Sequence, residues 1–252
     1  MLSVNNLSAG YGRKSVLTGI DIPGMQAGTM TAFLGQNGAG KSTLLRSLAG
    51  LHKAGGTLSL DGTDLTHQSP SARARSITYM PQSLPQRVAL TVLEATIGAL
   101  RASSRDPDAV KRSLAVLERL GISNLAMSQL DSLSGGQRQL ASLAQALVRK
   151  PKVLLLDEPT SALDVAHQIR VMRTIREITQ EQGIIAIAVL HDLALAARWC
   201  DRLVLLSKGR VLTDGEPADA LTAAALLEAY GVTGRIERCS RGHIQVLIDE
   251  VA

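Results

Sequence analysis

Apolar and polar positions alternate over several short segments in the first third of the chain, which predicts β-strands. Turn residues separate these segments at Gly10-Tyr11-Gly12 and at Asp61-Gly62, and Pro81 ends the last of them. This part of the chain is therefore expected to be mainly β structure. The predicted strands comprise residues 2–4, 16–22, 57–60 and 77–80.

The pattern changes from about residue 83 to residue 139. Residues 91–101 and 107–120 have apolar positions at helical spacing, and Gly121 ends the second helix. Leu114, Leu117 and Leu120 are expected on one side of that helix. The change in period predicts a helical insertion into an α/β domain.

Continuous apolar runs then indicate strands that are buried on both faces, as in parallel sheets. Strand, helix and strand follow one another, so the strands are expected to pair in parallel through a right-handed crossover. The predicted elements are helices at about 136–149 and 165–182, strands at 153–156, 184–190, 203–206 and 211–212, and short helices from Pro217 to Tyr230.

The predicted domain comprises residues 1–232. Its core is expected at about 1–82 and 140–232, and its helical subdomain at about 83–139. Residues 233–252 are interpreted as a short C-terminal tail, in which Ile244, Val246 and Ile248 alternate with polar residues.

Composition limits the classes of function. The net charge of +5 is spread along the chain, and the basic clusters Arg73/Arg75 and Lys111/Arg112 are small and without aromatic neighbours. This argues against a nucleic-acid surface, while attraction to anionic lipid headgroups stays open. No apolar run is long enough to span a bilayer, and the first residues lack signal-peptide features. Cys200 and Cys239 have no metal-ligand spacing, so reduced thiols and a cytosolic location are expected.

Residues 35–43 have the G-x-x-x-x-G-K-S pattern called Walker A. An apolar segment suited to a strand precedes the pattern, and leucines at helical spacing follow it, so a glycine turn that binds nothing is the weaker interpretation. Backbone N–H groups at such a helix start bind phosphates. Lys41 is expected to neutralise the β- and γ-phosphates, and Ser42 to bind Mg²⁺. The predicted nucleotide-binding residues here are Gly35, Gln36, Asn37, Gly38, Ala39, Gly40, Lys41, Ser42 and Thr43.

Two carboxylates follow the apolar run at 153–156. A buried strand that ends in Asp is how P-loop enzymes hold Mg²⁺, and Asp157 is predicted to do so. Glu158 is predicted to orient and deprotonate the attacking water. An exposed acidic turn is the alternative, and the upstream Walker A pattern makes it the weaker one.

Residues 133–137, Leu-Ser-Gly-Gly-Gln, precede a predicted helix. Ser134 can cap that helix, and Gly135 and Gly136 leave its first N–H groups accessible to an anion. A capped helix needs only one glycine. The two adjacent glycines therefore predict a second phosphate site. Because the chain has only one lysine-bearing phosphate loop, this second site is expected to serve a nucleotide that another subunit holds.

In chain order, these motifs and four others resemble those of the ATPase subunit of ATP-binding cassette (ABC) transporters. Residues 133–137 match the signature motif of that family letter for letter, and the resemblance covers residues 2–231. The others are Tyr11 as the A-loop aromatic residue, Gln82 as the Q-loop, residues 161–164 as the D-loop and His191 as the switch histidine.

The resemblance implies a role for each of these residues. Tyr11 would stack on adenine, although a turn tyrosine alone usually only packs. Gln82 would contact Mg²⁺ and the attacking water, and its loop would contact a membrane partner. His191 would bind the γ-phosphate and hold the water together with Glu158. Asp164 would bridge a dimer interface, and a role as the N-cap of the next helix is equally credible.

The fold implied is an α/β P-loop NTPase core, with a mixed sheet, helices on both faces and an N-terminal antiparallel β subdomain, plus an inserted α-helical subdomain. Two copies of the chain would pack head to tail around two Mg-ATP. Each ATP, the expected cofactor together with Mg²⁺, would lie between the Walker A residues of one copy and Ser134, Gly135, Gly136 and Gln137 of the other.

Segments 7–12, 209–217, 220–222 and 229–232 resemble ATPases that serve iron–siderophore, haem and cobalamin importers. This resemblance implies separate permease subunits, a periplasmic or extracellular substrate-binding protein acting indirectly, and a peripheral location at the cytoplasmic face of the inner membrane. No nucleic-acid partner is expected. The segment after Gln82 lacks the Gly-Arg that is frequent in that group. Residues expected to form a groove for the permease, or alternatively to pack the helical subdomain, are Leu84, Val88, Leu90, Val92 and Leu93.

Four alternatives stand beside this interpretation. An importer ATPase for another substrate, such as a metal ion or an amino acid, would carry the same motifs. A DNA-repair cassette would need a long coiled coil before the signature, and residues 83–133 are too few for one. A translation cassette would carry two such domains. A GTPase would need Asn-Lys-x-Asp, which the sequence lacks.

Overall fold

Five parallel strands and one antiparallel edge strand form the central sheet. The computed structural model describes residues 1–82, 89–102 and 106–251. The sheet has the order β10-β9-β3-β8-β7-β6, and only the β10–β9 pair is antiparallel. Its strands are β3 (Met30–Leu34), β6 (Ile77–Met80), β7 (Val153–Asp157), β8 (Ile185–Val189), β9 (Arg202–Ser207) and β10 (Arg210–Gly215).

A second, antiparallel sheet of order β2-β1-β4-β5 is built from the N-terminal part of the chain, as the resemblance implied. It consists of β1 (Leu2–Tyr11), β2 (Lys14–Met25), β4 (Ala54–Leu60) and β5 (Thr63–Asp64). Two helices connect this part of the chain to the central sheet: α1 (Lys41–Leu48) and α2 (Pro70–Arg73).

Side-chain alternation along the central strands divides the core into two layers. Phe33 packs with α1 and the antiparallel sheet, whereas its neighbours Ala32 and Leu34 pack on the opposite face. Every residue of β3, β7 and β8 is buried, which explains their continuous apolar sequences. The helices on the opposite face are α5 (Gly135–Leu147), α6 (Val165–Gln182) and α7 (Leu193–Trp199).

The helical insertion contains α3 (Val92–Arg101), α4 (Ala109–Arg119) and two short 3₁₀ turns, Ser123–Leu125 and Leu130–Ser132. The predicted apolar side of α4 was partly wrong, because Leu117 and Leu120 are buried but Leu114 is 40% exposed. Steps of three residues fall short of the 3.6-residue turn, so Leu114 and Leu120 lie about 120° apart around the axis.

The predicted groove after Gln82 is only partly described. Leu84 and Val88 lie outside the described residues. Val92 is fully buried and Leu93 packs against the core, so both pack the helical subdomain. Leu90, the third of the groove residues that the structure describes, is exposed.

The C-terminal residues fold as a hairpin of β11 (Val232–Arg238) and β12 (Ile244–Val251), which follows α8 (Pro217–Ala220) and α9 (Ala223–Tyr230). Ile244 and Val246 pack against the core. Ile248 is exposed; it pairs with Gly234, beside a shift in the pairing register between Thr233 and Gly234.

Arg73 is not part of a surface cluster with Arg75, contrary to the sequence interpretation. Arg75 is exposed, but Arg73 is buried and its guanidinium donates to backbone carbonyls. Nη1 donates to Ser47 at 2.8 Å and Nε donates to Leu65 at 3.0 Å. Nη1 also donates to the carbonyl oxygen of Leu48 at 3.2 Å, so the guanidinium adds donors at the end of α1, where intrahelical donors run out.

None of the helices in the described part of the chain is long and apolar enough to cross a membrane.

Candidate active site

The Walker A loop connects β3 to α1, and its backbone conformation depends on glycine. Gly40 is the N-cap of α1 with φ +102°, and no side chain caps that helix. At Gly35, with φ +136°, an added Cβ would lie 2.2 Å from the carbonyl oxygen of Leu206. The loop is therefore held against β9, and the first N–H groups of α1 are left for an anion.

Lys41 is buried and bends back over the same loop. Its Nζ donates to the carbonyl oxygens of Gly35 at 2.6 Å and Gln36 at 2.9 Å. Burial lowers the pKa of Lys41, and the nearby carboxylates Glu158 and Asp157 oppose that shift. The ammonium thus lies at the phosphate loop, on carbonyls that a phosphate can replace.

Asp157, at the end of β7, is only 1% exposed. Oδ1 accepts a hydrogen bond from Ser42 Oγ at 2.8 Å, and Oδ2 accepts one from the Tyr79 hydroxyl at 2.9 Å. Burial raises the pKa of Tyr79 to about 12. Sequence reasoning missed Tyr79, although the parallel pairing of β6 with β7 brings it near Asp157.

The oxygen donors around Asp157 suit Mg²⁺. Both hydrogen-bond partners of this carboxylate are neutral hydroxyls, and Lys41 is a cation near it. A buried carboxylate favours a further bound cation. Ser42 supplies a hydroxyl oxygen beside it, and hard oxygen ligands are those that Mg²⁺ prefers. No group of three or more His, Cys, Asp or Glu residues able to hold a metal occurs in the part of the chain that is described. Bound phosphate oxygens would therefore have to complete the coordination.

Glu158 lies between the ends of two neighbouring strands. Its Oε1 is 2.7 Å from Nε2 of His191, and its Oε2 accepts from Nε2 of Gln82 at 2.8 Å. Gln82 follows β6 and His191 follows β8, so the three side chains meet at the carboxyl edge of the sheet. The backbone of Glu158 has φ +54°, an unfavourable conformation for a side chain of this kind.

Gln139 of α5 holds the turn that follows Glu158, and sequence reasoning missed it. Its amide nitrogen makes a short hydrogen bond to the carbonyl oxygen of Glu158, and its amide oxygen accepts from Ala162 N at 3.0 Å. A polar residue at helical spacing from the apolar Leu143 and Ala146 was the only signal in the sequence, and the structure shows it buried. The helix that begins at the signature motif is thereby tied to Glu158, which ends the segment 153–158, the Walker B motif of the family.

A cavity of about 540 Å³ opens onto these residues. Tyr11 lines it, is 50% exposed, and has its ring centroid 4.5 Å from that of His52. Lys14 and Lys208 also line the cavity and add positive charge beside the phosphate loop. Neither lysine stood out in the sequence.

Ser134 caps α5, as predicted. Its Oγ accepts from Gln137 N at 3.3 Å, and the Gln137 side chain accepts from Ser134 N at 3.0 Å, so the two residues form a capping box. A Cβ at Gly136 would lie 2.8 Å from the carbonyl oxygen of Ala162. A Cβ at Gly135 would meet nothing within 4 Å, so space remains beside this glycine.

The signature residues and the D-loop line a separate cavity of about 530 Å³. Asp164 lies there and caps α6: its Oδ1 accepts from the backbone N–H of His167 at 2.9 Å. This hydrogen bond lowers the pKa of Asp164. The two cavities share no lining residue, and no signature residue lines the cavity at the Walker A loop of its own chain.

Relatives of known function carry the same sequence pattern. Residues 23–161 match the ABC transporter family model, which is more than half of the chain. The hemin import ATP-binding protein HmuV of Pseudomonas aeruginosa is 40% identical over 255 residues, which cover 96% of this chain and 98% of that protein. The ferric enterobactin transport ATP-binding protein FepC of Escherichia coli is 35% identical over 235 residues, with 90% and 85% covered.

Solved structures agree with the predicted fold class, which is confirmed. A metal-chelate type ABC transporter in an inward-facing conformation has a TM-score of 0.82 at 27% identity, covering all of this chain and 97% of that one. The dimeric ABC cassette MJ0796 has a TM-score of 0.79 at 26% identity, with 86% and 99% covered. Motifs, relatives and fold agree, and the chain belongs to the ABC transporter family, as an ATP-binding and ATP-hydrolysing subunit of the importer group.

Proposed function

We propose that two copies of this chain bind two Mg-ATP between them and power uptake of a metal chelate, such as haem, an iron–siderophore or cobalamin, through a separate membrane permease. The chain would act peripherally at the cytoplasmic face of the inner membrane. A periplasmic or extracellular protein would deliver the substrate to the permease. Relatives named for import of hemin and of ferric enterobactin support this class of cargo.

One observation carries the dimeric part of the proposal. Lys41, Ser42 and Glu158 line one cavity, whereas Ser134, Gly136, Gln137 and Asp164 line another with no residue in common. The capped helix and the space beside Gly135 form an anion site. This site lies outside the cavity that would hold the nucleotide of the same chain. A second copy packed head to tail supplies the missing nucleotide to each signature. The dimeric MJ0796 cassette supports such an arrangement.

Nucleotide binding begins at the Walker A loop, residues 35–43. The N–H groups of this loop hold the phosphates, and Lys41 exchanges its loop carbonyls for phosphate oxygens. Tyr11 stacks on the adenine. Ser42, Asp157 and Gln82 would hold Mg²⁺, which supplies charge neutralisation to the β- and γ-phosphates when bound. The ligand set is consistent with the buried carboxylate of Asp157 and the Ser42 hydroxyl beside it.

Hydrolysis uses the cluster around Glu158. This carboxylate accepts a proton from the attacking water, while Gln82 and His191 orient the carboxylate through their contacts at 2.8 and 2.7 Å. His191 also reaches the γ-phosphate. Because the γ-phosphate contacts both copies and ADP lacks it, ATP favours the closed dimer and hydrolysis reopens it.

Copurification tests the transport assignment. Tagged Glu158→Gln protein is purified from gently solubilised native membranes in the presence of ATP, and its partners are identified by mass spectrometry. A polytopic permease is the expected partner. The genes next to the permease gene, together with uptake assays using radiolabelled haem or iron–siderophore, would identify the cargo. Lys41→Ala is the matched control for ATP-dependent recovery. Recovery from the soluble fraction alone, or with ribosomes or DNA, would overturn the transport role and leave the ATPase activity standing.

A further inference from the structure

The end of α9 contacts the start of the Walker A loop, and no step described above uses this contact. The backbone N–H of Gly35 donates to the hydroxyl of Tyr230 at 2.8 Å. The side chain of Gln36 donates to the backbone carbonyl of Tyr230 at 2.6 Å. The two partners are separated by 195 positions in the sequence, so only the fold brings them together.

The same two loop residues hold the Walker A lysine. The carbonyl oxygens of Gly35 and Gln36 accept from Lys41, while the N–H of Gly35 and the side chain of Gln36 donate to Tyr230. The loop thus has the lysine on one side and the tyrosine on the other. A displacement of this part of the loop would displace the lysine with it.

Tyr230 is held firmly enough to act as an anchor. Thr222 caps α9 by accepting from Ala225 N at 3.1 Å, and Gly231 ends the helix in the left-handed conformation with φ +68°. Leu226 and Ala229 of the same helix are buried. Burial raises the pKa of Tyr230 to about 12, so its hydroxyl stays neutral and can accept from Gly35.

The opposite side of Gly35 is fixed as well, since its α-carbon lies close to the backbone of Leu206 in β9. The first Walker A residue is therefore held between β9 and α9. A binding loop that is held in its binding conformation loses less entropy when the ligand arrives.

We propose that Tyr230 is a positioning residue for the nucleotide, and that through it α9 and the β11–β12 hairpin set the affinity of the Walker A loop. The inference rests on the nucleotide site of the proposed function. Because the hairpin follows Tyr230 directly, any partner that moves the hairpin would alter nucleotide affinity through this contact.

Tyr230→Phe tests the proposal, since it removes the hydroxyl and keeps the ring. The full-length chain is titrated with MgADP by calorimetry, and the Michaelis constant for ATP is measured in parallel. One lost hydrogen bond to the loop should raise the dissociation constant of MgADP and the KM for ATP about five- to tenfold, with kcat changed less than about twofold.

Glu228→Gln is the matched control, because this side chain is exposed on the same helix. It should leave the affinity and the melting temperature unchanged. A Tyr230→Phe protein with a lower melting temperature but unchanged MgADP affinity would overturn the proposal, because that result is what a purely structural contact gives.

If Tyr230→Phe does not fold, Gln36→Leu tests the proposal instead, since it removes the second contact and leaves the tyrosine in place. It should also raise the dissociation constant with a smaller effect on kcat, and unchanged affinity would overturn the proposal. Absence of MgADP binding by the wild-type chain would contradict the nucleotide site itself, which distinguishes the two failures.

Discussion

The hydroxyl of Tyr79 donates a hydrogen bond of 2.9 Å to Oδ2 of Asp157, which leaves Oδ1 to the Ser42 hydroxyl at 2.8 Å. Each carboxylate oxygen of the Walker B aspartate therefore has a different neighbour. The tyrosine comes from β6 and the serine from α1, so two elements orient one carboxylate.

Tyr79→Phe should raise the Mg²⁺ concentration that gives half-maximal ATPase activity by about tenfold, because a hydrogen bond to a charged group contributes about 1.5–3 kcal/mol. ATPase rates over a range of Mg²⁺ concentrations measure this. Binding of ADP without Mg²⁺ should be unaffected and is the control. An unchanged Mg²⁺ dependence would mean that Tyr79 only fills space.

Glu158→Gln should lower kcat about 10²–10⁴-fold, since it removes the proton acceptor but keeps the shape of the side chain. The variant should accumulate as a dimer with ATP and stay monomeric with ADP. Analytical ultracentrifugation with each nucleotide measures both states. Turnover near the wild-type rate would exclude Glu158 as the general base.

Gln139→Leu should lower kcat about tenfold and leave KM nearly unchanged. The amide holds the backbone turn after Glu158, and the strained φ of +54° is maintained only by such contacts. Steady-state kinetics separate the two constants. Gln145→Leu is the matched control, because Gln145 lies on the same helix and its Nε2 has no hydrogen-bond partner among the described residues. Equal effects of the two variants would contradict a specific role for Gln139.

The two cysteines should differ in reactivity. Burial raises the pKa of the Cys200 thiol, whereas a backbone hydrogen bond from Arg241 lowers that of the half-buried Cys239. The thiolate is the reactive form, so Cys239 should react with iodoacetamide at a pH below that of an ordinary free cysteine. Mass spectrometry should find one modified thiol in the native protein and two after denaturation. Equal labelling of Cys200 in the native state would contradict its burial.

Local sequence patterns were enough to predict much of the fold. The helix predicted at residues 165–182 is α6 with the same bounds, and the apolar run at 153–156 lies in β7. Walker A, Walker B and the signature could be recognised because each is a short segment whose residues act together. The Ser134 cap likewise depends on the backbone only three residues away.

Contacts between distant segments could not be predicted in this way. Leu114 and Arg73 were misassigned, since exposure depends on which neighbour covers a helix face or accepts a hydrogen bond. Tyr79 meets Asp157 across 78 positions, and Tyr230 meets Gly35 across 195. Neither tyrosine belongs to the same sequence motif as the residue that it contacts.

The sequence by itself determined the family, the order of the strands and helices, and the side chains that handle the nucleotide, because these follow from local periodicity and contiguous motifs. The tertiary structure decided which residues hold those side chains in place. It also separated the signature from the Walker A loop of the same chain. Both depend on distances between segments that are far apart in the sequence, and only the packed fold sets those distances.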